Sequence, residues 1–281
     1  MAMSESNEQP MITLNNGVPI PQLGLGVFQT PEGEQTANAV RWALQAGYRH
    51  IDTAKIYGNE ASVGQGLRES GLKRREVFLT TKLWNEDVRA GRAKQAYEES
   101  LDRLGVDMID LYLIHWPAEG WQQAWEDMQE LYLQRRVRAI GVCNFQQHHL
   151  EELRSISDVK PAVDQIESSP IFVNQELIDY ANGEWRVDVE AWSPLGGTGT
   201  HLLEDPRLVS IAAKYSKSPA QVVIRWHLQR GVIVIPKSVH QERIESNFDV
   251  FDFQLSDEDM QAVSSMDTGQ RVGADPDHFD F

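Results

Sequence analysis

The stretch "DTAKIYGNE", residues 52–60, places an acid, a lysine and a tyrosine within six positions, directly after an apolar run. A tyrosine hydroxyl ordinarily gives up its proton near pH 10, so one that works as a general acid near neutrality needs a cation beside it. Two lysines are candidates. Lys55 is near in sequence, whereas Lys82 ends a separate apolar run, "VFLTTK". Asp52 and Tyr57 are five apart, so they face opposite sides of an extended strand and converge only if the chain turns after Thr53. Lys55 belongs to that turn and is expected to be solvated. Lys82, flanked by Asp52, is expected to stay charged and to lower the pKa of Tyr57.

The elements that must bring these residues together are legible from rhythm. Short apolar runs at 23–26, 48–53, 77–82, 109–115, 137–142, 162–166, 187–192 and 232–236 alternate with helical patterns such as "GEQTANAVRWALQAG", "AKQAYEESLDRLG" and "SPAQVVIRWHLQRG". Gly47 and Gly231 supply helix C-terminal signals. Eight strands separated by helices predict an α/β fold, a (β/α)8 TIM barrel occupying residues 1–281 as one domain. "MITLNNGVPI" predicts an N-terminal β-hairpin, "SDEDMQAVSSM" an extra C-terminal helix, and residues 1–10 are expected to be disordered. The alternative, an open doubly wound sheet, is weakened because neither "GLGVFQ" nor "GGTG" has the Gly-x-Gly-x-x-Gly spacing.

In a barrel of this kind chemistry sits at the C-terminal strand ends. Those ends read Asp52, Lys82, His115, Asn144, Gln165, Trp192 and Lys237. Each alone has a plainer reading: Asp52 as a turn cap, Lys82 as a solvated lysine, His115 as a hydrogen-bonded core residue, Gln165 as a loop tie, Trp192 as core. Seven polar or aromatic groups on one rim favour a site. Phe28, Trp84 and Trp116 fall beside the same ends and are expected to wall a substrate pocket, with aromatic core as the alternative.

Composition narrows the partners. Net charge is −16 over 281 residues, which repels nucleic acid and anionic membranes. Cys143 is the single cysteine, so neither an intrachain disulfide nor a zinc–cysteine cluster can form, and no metal site is expected. The first residues show no secretory pattern and no apolar run approaches bilayer length, so a cytoplasmic location is expected.

The stretches "YRHIDTAKIYGNE", "TTKLWN", "DLYLIHWP", "GVCNF", "DQIESSP", "AWSPLG", "VIPKSVHQERIESN" and "DVFDF" resemble, in order and over nearly the whole chain, the aldo-keto reductase family, in particular its bacterial branch containing 2,5-diketo-D-gluconate reductases. The resemblance implies NADPH-dependent reduction of small aldehyde, α-dicarbonyl or keto-acid carbonyls by a monomer. In it Tyr57 is the proton donor, Lys82 and Asp52 tune it, and His115 orients the carbonyl. It places nicotinamide against Trp192, its carboxamide on Asn144 and Gln165, and the pyrophosphate along "SPLGGTG", with Ser193, Leu195 and Gly197. Lys237, Ser238 and Arg243 suit a 2′-phosphate, because loops after the last two barrel strands commonly hold phosphate; a solvated basic helix start is the plainer reading. Asn247 remains as an adenine contact, since Ser246 replaces the acid or amide usual there. Cys143 stands where a carboxamide-binding serine is usual and is a weaker donor. Asp164 replaces an asparagine and Ser169 a histidine. The connection "WPAEGWQQAW" and the tail "RVGADPDHFDF" are short, which implies an open pocket. Two rivals remain: a Schiff-base lyase using Lys82 or Lys237, and a non-catalytic binding protein on the same scaffold.

Overall fold

The computed structural model describes residues 9–183, 185–279 and 281. The expectation of disorder at 1–10 therefore falls mainly outside the described residues; Pro10 O accepts from Gln22 N at 2.9 Å. The hairpin forms, with β1 (Met11–Thr13) antiparallel to β2 (Pro19–Pro21). Its loop closes through Leu14 N donating to Val18 O at 3.0 Å, and Gly17 takes φ 84°, a conformation that costs glycine nothing.

Eight parallel strands follow: β3 (Leu25–Gly26), β4 (His50–Asp52), β5 (Phe78–Leu83), β6 (Ile109–Ile114), β7 (Val137–Cys143), β8 (Val163–Glu167), β9 (Asp188–Trp192) and β10 (Ile233–Val234). Each pairs with its neighbour in sequence, and the ring closes where Leu23 bridges Val234 and Gly26 bridges Lys237. At least one helix lies between each consecutive pair, which is how parallel strands must be connected. This is the (β/α)8 barrel that the spacing predicts. All eight strands come within two residues of their expected bounds at both ends; β3 and β10 are the shortest, because the barrel's first and last strands meet through isolated bridges rather than a full ladder.

The three quoted helical patterns become helices at Glu34–Ala46, Ala93–Leu104 and Pro219–Gln229. Gly47 caps the first in the left-handed region, φ 118°. The extra helix, Asp257–Ser264, packs Val263 with Leu208, Ile211 and Trp226 outside the barrel, and Trp226 Nε1 donates to Ser264 Oγ at 2.9 Å.

The barrel interior changes character along its axis. At its N-terminal end Leu14 and Ile20 of the hairpin pack with Phe78, Leu111, Ala139, Val163 and Ile233. Asn15 Nδ2 donates to Pro161 O at 2.7 Å and Asn16 Nδ2 to Arg138 O at 3.1 Å, fastening the hairpin across strand starts. One end is thus filled and apolar, and the opposite end carries the polar residues.

Helix Glu60–Glu69 lies so close to the end of Ala93–Leu104 that a Cβ on Gly64 would stand 1.9 Å from Leu104 O. Alanine is favoured over glycine in a helix by about 1 kcal/mol, but a backbone carbonyl cannot step aside. Gly64→Ala should therefore destabilise the fold by roughly 1–3 kcal/mol net. Calorimetry should find its Tm several degrees lower; an unchanged or higher Tm would contradict the close helix approach.

Candidate active site

The turn that the Asp52–Tyr57 spacing requires is a single 3₁₀ turn, Lys55–Tyr57, ending on Gly58 at φ 64°. It carries the Tyr57 hydroxyl back over the end of β4. Lys82 on β5 has no exposed surface, and its Nζ donates to Asp52 Oδ1 at 2.6 Å, to Thr53 O at 2.9 Å and to Tyr57 Oη at 3.3 Å. Three protons meet three acceptors, which is the full capacity of an ammonium. Burial works against that charge, but Asp52 and then Tyr57 outweigh it and raise the Lys82 pKa, so the group stays protonated.

Two expectations need correction. Lys55 is not solvated: it is half-buried and paired with the buried Asp87, 32 residues along the chain. Nor is the pKa of Tyr57 lowered. Burial raises it above the ordinary tyrosine value, the Lys82 ammonium pulls it back only in part, and Asp52 adds to the rise. The hydroxyl consequently stays protonated through neutral pH.

His115, just beyond β6, is buried, with its ring edge-on to Tyr57 at 5.7 Å and to Trp84 at 5.3 Å. Burial, reinforced by Lys82, lowers its pKa well below the usual range, so the imidazole is neutral. Its Nδ1 has no partner among the described residues.

Asn144, beyond β7, adopts φ 62°, which asparagine tolerates. Its Nδ2 donates to His115 O at 3.0 Å, and its Oδ1 accepts from Trp192 Nε1 at 2.9 Å. The Trp192 indole is also pressed by the tail: a Cβ on Gly273 would lie 2.3 Å from the ring. Glu167 holds that stretch of tail by accepting from Val272 N at 2.5 Å and Gly273 N at 3.2 Å. Gln165 Nε2 donates to Asp52 Oδ2 and to Glu190 Oε2, both at 2.8 Å. Both amide protons are used, so Oε1 is the atom left to accept.

These residues surround a cavity of about 800 Å³. Phe28, Asp52, Tyr57, Trp84, His115, Trp116, Asn144, Gln165, Trp192, Ser193, Leu195, Gly197, Lys237 and Arg243 all line it. Neither Lys237 nor Arg243 forms an ion pair among the described residues. Cys143, Ser238 and Asn247 are buried beside the cavity rather than on its wall; the Ser238 hydroxyl accepts from His240 N at 3.1 Å, closing a local turn. Gly196 and Gly197 take φ 82° and 67°, where a side chain would strain the loop after β9.

Sequence reasoning missed part of the wall. The tail, expected to leave the pocket open, brings Phe281 parallel to Trp84 at 5.9 Å and edge-on to Trp116 at 5.1 Å, with Phe281 O accepting from Asn85 and Arg89. His201 and Glu204 line the far end of the cavity. His50 and Glu190, inward-facing with Asp52 and Trp192 on alternate positions of β4 and β9, were also missed; a charged residue among the apolar positions of "VDVEAW" was the available signal.

The sequence pattern of the aldo/keto reductase family matches residues 22–268. The chain belongs to that family. It is an oxidoreductase acting on carbonyl groups, and its relatives span nearly its whole length. A 9,11-endoperoxide prostaglandin H2 reductase of Trypanosoma cruzi is 48% identical over 270 residues, 95% of each chain. A glyoxal reductase of Bacillus subtilis is 47% identical over 271 residues, 96% of this chain and 97% of that one. Among solved structures, the Bombyx mori aldo-keto reductase in complex with NADP superposes with a TM-score of 0.89 at 37% identity, covering 96% of each chain.

The buried acid layer of this aldo-keto reductase has a consequence for stability. Burial, and then the Asp52 charge, push the Glu190 carboxyl up to about 8 from 4.5. The folded protein therefore keeps a proton that the unfolded chain releases above about pH 5, and stability falls as pH rises from about 5 to 8. Groups facing Glu190 are Gln165, Asp52, Lys82 and His50, and His50 is held neutral, its value near 3. Glu190→Gln should flatten the decline of Tm between pH 5 and pH 8. A decline as steep as that of the unaltered protein would assign the proton uptake elsewhere.

Proposed function

We propose that this aldo-keto reductase uses NADPH to reduce aldehydes, ketones and α-dicarbonyls to alcohols, with Tyr57 as the proton donor. The observation that carries this reading is the Tyr57 Oη–Lys82 Nζ–Asp52 chain of 3.3 and 2.6 Å, opening on a cavity in a member of this family. Relatives named for NADP complexes and for glyoxal reduction support the cofactor and the substrate class.

Features of the chain fit a reduced dinucleotide phosphate. Gln165 Oε1 is an acceptor without a donor among the described residues, suited to a carboxamide N–H. Trp192, braced by Asn144 and Gly273, offers a fixed aromatic surface at the cavity. Two cations without counter-ions among the described residues, Lys237 and Arg243, share the wall in a protein of net charge −16 and suit a 2′-phosphate. Ser193, Leu195 and the glycines at 196 and 197 permit close backbone approach by a pyrophosphate. Ser238, Asn247 and Cys143 act in this reading from behind the wall, shaping the loops rather than presenting donors. Bound there, the reduced cofactor supplies a hydride equivalent for a carbonyl carbon.

The chain's own residues do the rest. As negative charge grows on the carbonyl oxygen, Tyr57 Oη–H and a neutral His115 N–H are the donors on the wall that can meet it. No acceptor among the described residues reaches His115 Nδ1, so its proton is better placed on Nε2. When Tyr57 gives up its proton, the Lys82 ammonium offsets the charge left on the phenolate, and Asp52 keeps Lys82 in place. Phe28, Trp84, Trp116 and the tail's Phe281 give the substrate an apolar enclosure that excludes water. The same reading has the enzyme acting as a monomer in the cytoplasm on small carbonyl compounds, with no nucleic-acid or membrane partner; sedimentation at micromolar concentration checks the monomer.

Oxidation of NADPH, followed by absorbance with aldehydes and α-dicarbonyls, tests the function, and no carbonyl-dependent consumption would overturn it. Tyr57→Phe should keep NADPH affinity and lose at least about 10²–10⁴ in turnover; turnover near that of the unaltered enzyme would remove Tyr57 from the mechanism. Arg243→Ala should raise KM for NADPH by about 10–100-fold, the worth of a charged hydrogen bond, with little change for NADH. Equal effects on both coenzymes would mean that Arg243 does not meet the 2′-phosphate.

A further inference from the structure

We infer that Glu190 is a positioning residue of this centre, which fixes the Gln165 amide so that its oxygen faces the cofactor pocket. The inference rests on the proposed use of NADPH.

Glu190 lies on β9 directly in register with Gln165 on β8, so their side chains enter the barrel at one level. Gln165 Nε2 is the only donor that reaches Glu190 among the described residues, at 2.8 Å to Oε2. The same nitrogen donates to Asp52 Oδ2 at 2.8 Å, and Asp52 is already committed through Oδ1 to Lys82. An amide has two nearly isosteric ends, and what distinguishes them is the neighbours. Flipped, Gln165 would set its oxygen against the Asp52 carboxylate, which has no proton to offer it, whereas in the observed orientation Glu190 Oε2 accepts the second amide proton even when the Glu190 carboxyl is neutral. With Glu190 present, both amide protons have acceptors and the oxygen is left for the pocket. Without it, Asp52 alone would hold the amide, and one of its protons would be buried without an acceptor.

A packing role explains Glu190 poorly. The residue has no exposed surface, its Oε1 has no hydrogen-bond partner among the described residues, and His50 Nε2 lies 3.5 Å from that atom. His50 Nε2 is shared with Thr80 Oγ1 at 3.2 Å. Just below, the barrel is filled by Leu111, Leu113 and Val163, and an apolar side chain at 190 would avoid burying unmet polar atoms. A buried acid retained at that cost is best understood through the group it holds.

The test is NADPH binding without substrate, by calorimetry on the full chain, for Glu190→Ala, Glu190→Gln and Gln165→Ala. Glu190→Ala should weaken NADPH about tenfold. Glu190→Gln should stay within about twofold of the unaltered protein, because its amide oxygen can still accept from Gln165. In a Gln165→Ala background, Glu190→Ala should add nothing. Should Glu190→Ala fail to fold by circular dichroism, Glu190→Leu fills the space and carries the same expectation. Unchanged affinity in the Ala or Leu variant, equal weakening by Gln and Ala, or full additivity with Gln165→Ala would each overturn the role. If the unaltered protein does not bind NADPH, the proposed function falls and this role with it, which separates that failure from loss of the Glu190 role alone.

Discussion

The site depends on keeping one ammonium charged where water cannot reach it. Lys82 has no exposed surface, and an isolated cation there would lose its proton rather than bear the desolvation cost. Asp52 prevents this, and the geometry leaves no proton unmet. Removing one partner from such a pair costs far more than the pair contributes, because the other charge is stranded. The pair is therefore a constraint on every element that carries it. β4 and β5 must be adjacent and parallel in their observed register, and the chain must turn at once after β4 to bring the tyrosine in.

That constraint explains the gradient along the barrel. Polar side chains are tolerated at the C-terminal rim because they satisfy one another: Lys82 by Asp52, Asp52 by Gln165, Gln165 by Glu190, Trp192 by Asn144 and Asn144 by His115 O. The barrel interior at the other end is filled with apolar side chains from the hairpin and strands. The hairpin thus has a part in the chemistry, since a dry barrel floor keeps the dielectric low beneath Lys82 and makes its field felt at Tyr57.

Much of this was legible in the sequence, for physical reasons. Parallel strands buried on both faces read as continuous apolar runs, and their polar ends stand out. The eight strands, the rim residues Asp52, Lys82, His115, Asn144, Gln165 and Trp192, and the choice of Lys82 over Lys55 as the partner of Tyr57 could all be read that way. What could not be read is what depends on distance along the chain. Local spacing leaves Lys55 solvated, whereas its partner, Asp87, lies on the short helix after a different strand. The tail's contacts with Trp84 and Trp116 join residues 197 and 165 positions apart. Glu190 and His50 carried a local signal, polar residues on the inward alternation, but without a closed barrel nothing says that the inward face at that level is shared with Asp52.

The direction of the tyrosine's pKa is the most instructive difference. Counting charges alone, Lys82 lowers it; counting burial as well, the net direction is upward. The two statements concern different comparisons. For a reductase the donor must be loaded before the carbonyl is reduced, and a raised pKa guarantees a protonated hydroxyl at neutral pH. What Lys82 changes is the energy of the phenolate that follows, which in this buried setting would be far higher without a cation 3.3 Å away. In the proposed reduction, burial keeps the proton on until a stronger base than water, the developing alkoxide, is present to take it. The ammonium then makes its release possible, so the two opposing effects act at successive stages of the same transfer.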